Sequence, residues 1–205
     1  MTNEEHAYVL DYLARGRSSD FKENPLAQVL GTNFFSLLEV VPKKELKAMQ
    51  KVYIGKEARD DVSLIKRRVA YKELTSNAVA ELPNAVEKIV DDDPQHFLEF
   101  YNNSHAISLR MHQLELLPGF GKKHVLTFLD EREIKPFESF EDIHKRVSVI
   151  PDPKKTIVKR ILQELEGDED EKYYLFTRRP PTEETEQQNG RRPYRPNREY
   201  GQRSE

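Results

Sequence analysis

The chain has 205 residues, 37% hydrophobic, 34% charged, with a formal net charge of −3 and no cysteine. That length gives room for one large domain or two small ones with a tail, and the low apolar fraction requires compact cores with part of the chain outside them. Without cysteine there are no disulfides, thiolate zinc sites or thiol catalysis. The polar start Met1–His6 and the lack of an apolar run near ~18 residues point to a cytoplasmic protein with neither export signal nor membrane span. The high charge without Cys or Trp leans toward a thermophile.

The first part of the chain reads as β. Ala7–Leu13, Leu26–Val41, Lys51–Gly55 and Leu64–Tyr71 are rich in Val, Leu, Ile, Tyr and Phe, with turn residues between them. The second run is long for one straight strand, so Gly31 is expected as a bulge or bend. A long bent strand followed by shorter ones predicts a small OB-like or related Greek-key barrel over residues 1–74, with Tyr173–Phe176 returning as an extra strand. Strict alternation places Lys66 and Arg68 on one face with Leu64, and Arg67 on the other with Ile65 and Val69. Lys51 and Tyr53 share a face of the third strand. Lys51, Tyr53, Lys66 and Arg68 together would form a basic surface with an aromatic for base stacking, although outward Tyr and Lys are also ordinary on strand surfaces.

Charge is segregated along the chain. Lys43–Glu73 carries ten Lys/Arg against five acids, whereas Glu81–Phe100 carries one Lys against six acids. Polyanion contact depends on the local field more than on the total, so a negative net charge does not exclude a nucleic-acid partner. Glu81–Asp93 reads as a solvated face. Residues 75–104 are linking helices: Thr75 or Ser76 starts one, Pro83 interrupts or restarts it, and Asp93-Pro94 opens another. Asp91-Asp92-Asp93 reads as capping and solvation in preference to a metal site, because no ligand spacing surrounds it.

The segment with most information is Leu117-Pro118-Gly119-Phe120-Gly121-Lys122-Lys123. Apolar spacing predicts helices over Ile107–Leu116 and Lys122–Glu133 on either side. Pro118 stops the first helix, Gly119 and Gly121 admit rare backbone angles, and Phe120 supplies an apolar anchor. The second helix then opens with free amides, the positive end of its dipole, and two lysines. Its natural occupant is an anion such as a phosphate; the bland reading is a tight helical corner. A weaker copy follows. Ser139–Val147 is a helix capped by Ser139 with Asp142 three residues on. Val149–Pro153 is its corner, and Lys154–Leu165 is a helix with Ile157, Val158, Ile161, Leu162 and Leu165 on a buried stripe. There Asp152 and Pro153 take the N-cap and first helical positions, so a carboxylate occupies the place a phosphate needs. The second corner is expected to be a packing partner, with Lys154, Lys155 and Lys159 as peripheral contacts.

The run Leu117–Gly121 resembles the helix-hairpin-helix motif, and residues 105–170 resemble a tandem helix-hairpin-helix domain with one active and one degenerate copy. The resemblance implies contact with the backbone of RNA or DNA through amides of Gly119, Phe120, Gly121, Lys122 and Lys123. DNA glycosylases of the helix-hairpin-helix superfamily carry a similar hairpin with a catalytic lysine where Lys123 stands. Here Glu141 and Asp142 fall near the required acid's distance but inside a capped helix and outside the motif. The layout of residues 1–178 resembles a conserved archaeal family of uncharacterised proteins expected to join an OB-like domain to helix-hairpin-helix repeats. That resemblance implies nucleic-acid binding in information processing, with no activity assigned.

After Leu165, Gly167–Glu171 is an acidic break. From Arg178 the sequence has seven Arg, four Pro and no aliphatic residue. Such a composition cannot bury enough surface to fold alone, so disorder is expected beyond about Arg178. Arg191, Arg192, Arg195 and Arg198 with Tyr194 could grip RNA, or the tail could simply aid solubility. The expected class is therefore α+β: a small OB-like β-barrel, an all-α tandem helix-hairpin-helix domain and, over residues 171–205, a short strand followed by a disordered Arg/Pro-rich tail. The expected function is non-catalytic binding of nucleic acid, RNA slightly favoured over DNA, without cofactor. A protein-interaction adaptor in a translation or transcription assembly is the alternative.

Overall fold

The computed structural model describes residues 4–16, 24–167 and 172–179. The expected Arg-rich contacts beyond residue 179 lie outside these residues. The architecture is α+β, a curled five-stranded antiparallel half-barrel followed by helices. The strands are β1 (His6–Leu13), β2 (Leu26–Gly31), β3 (Leu37–Pro42), β4 (Lys51–Tyr53) and β5 (Val62–Arg68), ordered β4-β1-β2-β3-β5. β4 and β5 are the two edges of the sheet. Among the described residues no helix is long and apolar enough to cross a membrane.

The expected bent strand over residues 26–41 is instead two strands of a hairpin. Its turn contains neither Gly nor Pro. It is held from afar by the buried Glu4 carboxylate, which accepts from the amides of Asn33 (2.8 Å), Phe34 (3.1 Å) and Ser36 (3.0 Å). Gly31 serves that contact and is not a bulge: a Cβ there would lie 2.2 Å from Glu4 Cδ.

Alternation gives the sheet two apolar faces. Ala7, Val9, Ala27, Val29, Leu38, Val40, Val52, Ile54 and Val62 fill the inside of the half-barrel, where Leu46 packs on them. Tyr8, Leu10, Leu30, Leu37 and Val69 face outward into a cluster that runs through the helices as far as Leu165. The outer face of the sheet and the helices thus share one core, while the inner face packs a second.

α1 (Ser76–Asp92), capped by Thr75, lays Ala78, Leu82, Ala85, Val86, Ile89 and Val90 into that core. It runs through Pro83 without interruption, contrary to expectation, since the eighth helical position loses one hydrogen bond while the buried stripe persists on both sides. Asp93 caps α2 (Pro94–Asn103). The expected helix over Ile107–Leu116 is absent. In its place are a small hairpin of β6 (Ala106–Ser108) and β7 (Met111–His112) and a single 3₁₀ turn over Gln113–Leu116. Ile107, Leu109 and Met111 recur with period two, and Leu109 is fully exposed at the hairpin tip. α3 (Lys122–Ile134), α4 (Phe140–Arg146) and α5 (Pro153–Glu166) follow, close to the expected bounds.

Tyr173–Phe176 does not return as a strand. Its amides are claimed by a carboxylate: Glu164, fully buried on α5, accepts from Leu175 (2.7 Å), Phe176 (3.1 Å) and Thr177 (2.9 Å). Arg160 balances Glu164 at 2.8 Å and donates to the Tyr173 carbonyl. A buried acid taking three amide bonds and one guanidinium is well satisfied.

Candidate nucleic-acid interface

The first corner, residues 117–123, joins the 3₁₀ turn to α3. Leu117 and Phe120 are buried, whereas Gly119, Gly121, Lys122 and Lys123 are exposed. Phe120 anchors the corner between Tyr101 (centroids 6.2 Å apart) and Phe128 (5.9 Å). Tyr101 in turn donates its hydroxyl to the Pro153 carbonyl at 2.9 Å, tying α2 to the start of α5. Full burial and nearby Asp152 push the Tyr101 phenol well above its ordinary range, so it remains a hydrogen donor. Arg132 of α3 closes the other end by donating to the carbonyls of Tyr101 (3.0 Å) and Ser104 (2.9 Å). The corner therefore sits on a rigid support.

Gly119 has φ +86°, and a Cβ there would lie 2.6 Å from Cγ of Pro151. The two corners of the helical region thus touch through a residue that must lack a side chain. Gly121 has φ −87° and nothing within 4 Å of its Cβ position. Nothing in the described fold therefore requires a glycine at this position.

Helix caps separate the two corners. Thr75, Asp93, Ser139 and Asp152 each accept an amide in the first turn of α1, α2, α4 and α5. No side chain makes that bond at α3. Two of the expected phosphate ligands are nevertheless engaged. The Phe120 amide donates to the Leu117 carbonyl at 3.1 Å, and the Gly121 amide lies 3.4 Å from Nδ1 of His124. The same Nδ1 is 2.9 Å from the Gly119 carbonyl. One ring nitrogen cannot donate and accept at once, and the shorter contact to a carbonyl requires the proton on Nδ1. With that tautomer the Gly121 amide, though aimed at the ring, has no acceptor there. His124 was not among the sequence-derived candidates; its polar side chain three residues after an N-cap position was the available signal.

The second proposed surface is not assembled. Lys51 and Tyr53 lie on β4, at the opposite edge of the sheet from Lys66 and Arg68. They also belong to different faces. Lys51 pairs with Tyr8, whose ring faces the helices, and Arg68 pairs with Leu38, inside the half-barrel. The alternation expected along β5 fails at a register shift: Glu39 pairs with Arg67 and Val40 with Ile65, so Lys66 is the extra residue and Arg68 joins Ile65 on the inner face. Lys51 is ion-paired with Asp92 at 3.3 Å, and the Tyr53 hydroxyl accepts from the Glu57 amide at 3.2 Å.

Lys154 is likewise committed, to Glu87 (2.9 Å) and Asp91 (2.7 Å) of α1, while Lys155 is exposed beside Asp152. The acidic block over residues 81–93 thus does more than meet solvent. Glu87 and Asp91 clamp α5, and Asp92 accepts from the Tyr8 hydroxyl and binds Lys51 and Lys88. The Tyr8 bond is the largest influence lowering the Asp92 carboxyl, and burial first, then Asp92, lifts the Tyr8 phenol to about 12.

A family model described as a protein of unknown function, DUF655, matches residues 3–178. The uncharacterized protein MJ0038 of Methanocaldococcus jannaschii is 40% identical over 177 residues, covering 85% of this chain and 80% of that protein. The crystal structure of Af1531 from Archaeoglobus fulgidus, itself a DUF655 protein, superposes with a TM-score of 0.78 at 46% identity, over 85% of this chain and all of that one. With the family model matching most of its length and two relatives above 30% identity, the chain belongs to the DUF655 family.

Proposed function

We propose that the protein is a non-catalytic nucleic-acid binder whose first helical corner holds the sugar-phosphate backbone in helix-hairpin-helix fashion, with single-stranded RNA its preferred form. The observation that carries this reading is the uncapped start of α3, flanked by exposed Gly121, Lys122 and Lys123. Backbone donors and two ammonium groups at the positive end of a helix suit a phosphate and read no base edge. Contacts come from the amides of Gly121, Lys122 and Lys123, with both lysine side chains as mobile counter-charges. Lys155 lies near enough in the chain to the second corner to serve as a peripheral contact. The half-barrel is taken as OB-like, which favours single strands over duplex.

The test is fluorescence anisotropy with a labelled 12-nucleotide RNA of mixed sequence, titrated with the full-length chain at several salt concentrations. Affinity should fall steeply with salt, with a slope near −2 for about three neutralised phosphates on a single strand. Lys122→Glu combined with Lys123→Glu should weaken binding by at least about thirtyfold and flatten the slope. Salt-independent binding, or a charge-reversed chain that binds as before, would overturn the proposal.

A further inference from the structure

The mouth of the half-barrel, remote in sequence from the helical corner, contains a second feature that points to a ligand. A cleft of ≈ 270 Å³ opens between the β4 end and β5, close to the lower limit of roughly 300 Å³ for small-molecule pockets. Its apolar lining comes from Leu38, Ile54 and Ile65, and its charge from Arg59, Arg68, Arg178 and Lys56. Glu4 is the one carboxylate among these lining residues, and its oxygens are already taken by the amides of Asn33, Phe34 and Ser36. Cations therefore outnumber anions in the cleft by four to one.

These guanidiniums are held in place by the fold. Arg59 Nε donates to the Gly55 carbonyl at 2.7 Å, which fixes the base of its side chain. Arg178 lies over the Phe34 ring, 3.9 Å from its centroid, and its amide donates to the Phe34 carbonyl at 3.3 Å. Arg68 donates through one terminal nitrogen toward the Arg178 and Arg179 carbonyls. Its Nε is closed off from solvent without an acceptor among the described residues. Burial first, and then the charge of Arg178, depresses Arg68's pKa against the opposing pull of Glu4, so the guanidinium carries a desolvation cost together with a like-charge neighbour. An anion seated between them relieves that cost. The apolar lining favours one whose charge is attached to a flat hydrophobic body.

We propose that this cleft binds a single nucleoside phosphate, with its base against Leu38, Ile54 and Ile65 and its phosphate between Arg59, Arg68 and Arg178. The site is independent of the α3 corner. The ligand chemistry is shared by a free nucleotide and by the phosphorylated end of a single strand, and the experiment separates the two sources.

Full-length protein is titrated by calorimetry with AMP, adenosine, orthophosphate and a 5′-phosphorylated hexa-adenylate. AMP should bind at least about tenfold more tightly than adenosine or orthophosphate, because it alone uses both halves of the site. Two variants report on those halves: Arg59→Gln removes a cation, and Ile65→Glu places a carboxylate on a half-exposed part of the apolar lining. Each should weaken AMP at least about tenfold with an unchanged circular-dichroism melt. Lys122→Glu with Lys123→Glu should leave AMP binding intact. If the hexamer displaces AMP, the natural source is a strand end; if AMP binds and the hexamer does not compete, it is the free nucleotide. Orthophosphate binding as tightly as AMP, no AMP binding at millimolar concentration, or folded variants that bind as wild type would overturn the assignment.

Discussion

The two corners of the helical region, residues 117–123 and 149–153, are entered and finished differently: a 3₁₀ turn leads into the first and α4 into the second. Each leads into a long helix, and the two meet where Gly119 lies against Pro151. At the second, Asp152 accepts the Lys155 amide at 3.0 Å, and Pro153 removes one more donor from the first turn. At the first, Gly121 stands at the corresponding place with no side chain, and two lysines follow. One helix start carries its own anion; the other leaves that position vacant. The satisfied corner contributes packing, while the first forgoes a side-chain cap at a cost of a few tenths of a kcal/mol, which on the proposed function leaves its donors to a phosphate.

The largest effect on this comparison should come from breaking the contact between the corners. Gly119→Val forces a β-branched residue to φ +86° and drives its Cβ into Pro151. Left-handed strain and the overlap together should lower stability by about 3 kcal/mol, seen as an earlier urea midpoint with an unchanged slope. A Pro151→Ala background should recover part of the loss, since it removes the clash and leaves the strain. No recovery would show that the backbone angle alone accounts for the glycine.

Gly121→Asp turns the first corner into a likeness of the second. Open space surrounds the Cβ position and φ is ordinary, so the new carboxylate meets no obstacle. It should cap α3 and raise stability by a few tenths of a kcal/mol, while RNA affinity falls about tenfold. Gly121→Ser separates the two causes, because a hydroxyl occupies an amide without adding negative charge. Affinity unchanged in both variants would remove the backbone amides from the proposed contact and leave only the lysines.

How much of this could be read from the chain depended on how local each cause was. Asp152-Pro153, Asp93-Pro94 and Ser139 announce helix starts within four residues, and the structure has all three. The glycine corner was visible for the same reason. Its seat against Pro151 was not, because that contact joins residues 32 positions apart in different elements. The turn between β2 and β3 was illegible because Glu4 makes it from 29 or more residues away, with no Gly or Pro to mark it. The basic surface failed through register: the shift opposite Val40 depends on pairing with β3, and it carries Arg68 to the face that alternation had assigned to Arg67. Period two across Ile107, Leu109 and Met111 was present in the sequence, but the same residues also fit a short helical stripe. Over so few residues the two patterns overlap.

Removing the cap of the second corner gives a smaller effect. Asp152→Ala should cost about 1 kcal/mol, measured as a shift in the urea midpoint, through the lost bond to the Lys155 amide. It also deletes a carboxylate three residues before the exposed Lys155, so RNA affinity should hold or rise slightly. A fall in affinity at constant stability would give the second corner a direct part in binding that its cap argues against.

The smallest effect concerns the approach to the first corner, where His112 plays the part that Asp152 plays at the second. Its Nδ1 accepts the Leu114 amide at 3.1 Å, at the start of the 3₁₀ turn that delivers Leu117. Burial, and then the charge of Arg132, holds the imidazole below its usual pKa of 6.5, so the folded chain favours the neutral ring. The unfolded chain takes up the proton first as pH falls. This contribution is therefore full above about 6.5 and is lost as pH drops through the lower folded value. Because Nδ1 can no longer accept once it carries a proton, the loss should amount to less than ~1 kcal/mol, the worth of one neutral hydrogen bond. His112→Asn keeps an acceptor that does not titrate. Urea midpoints from pH 7.5 to 5.0 should accordingly decline less in the variant than in the wild type, and parallel curves would mean that the ring's cap contributes nothing to holding the corner.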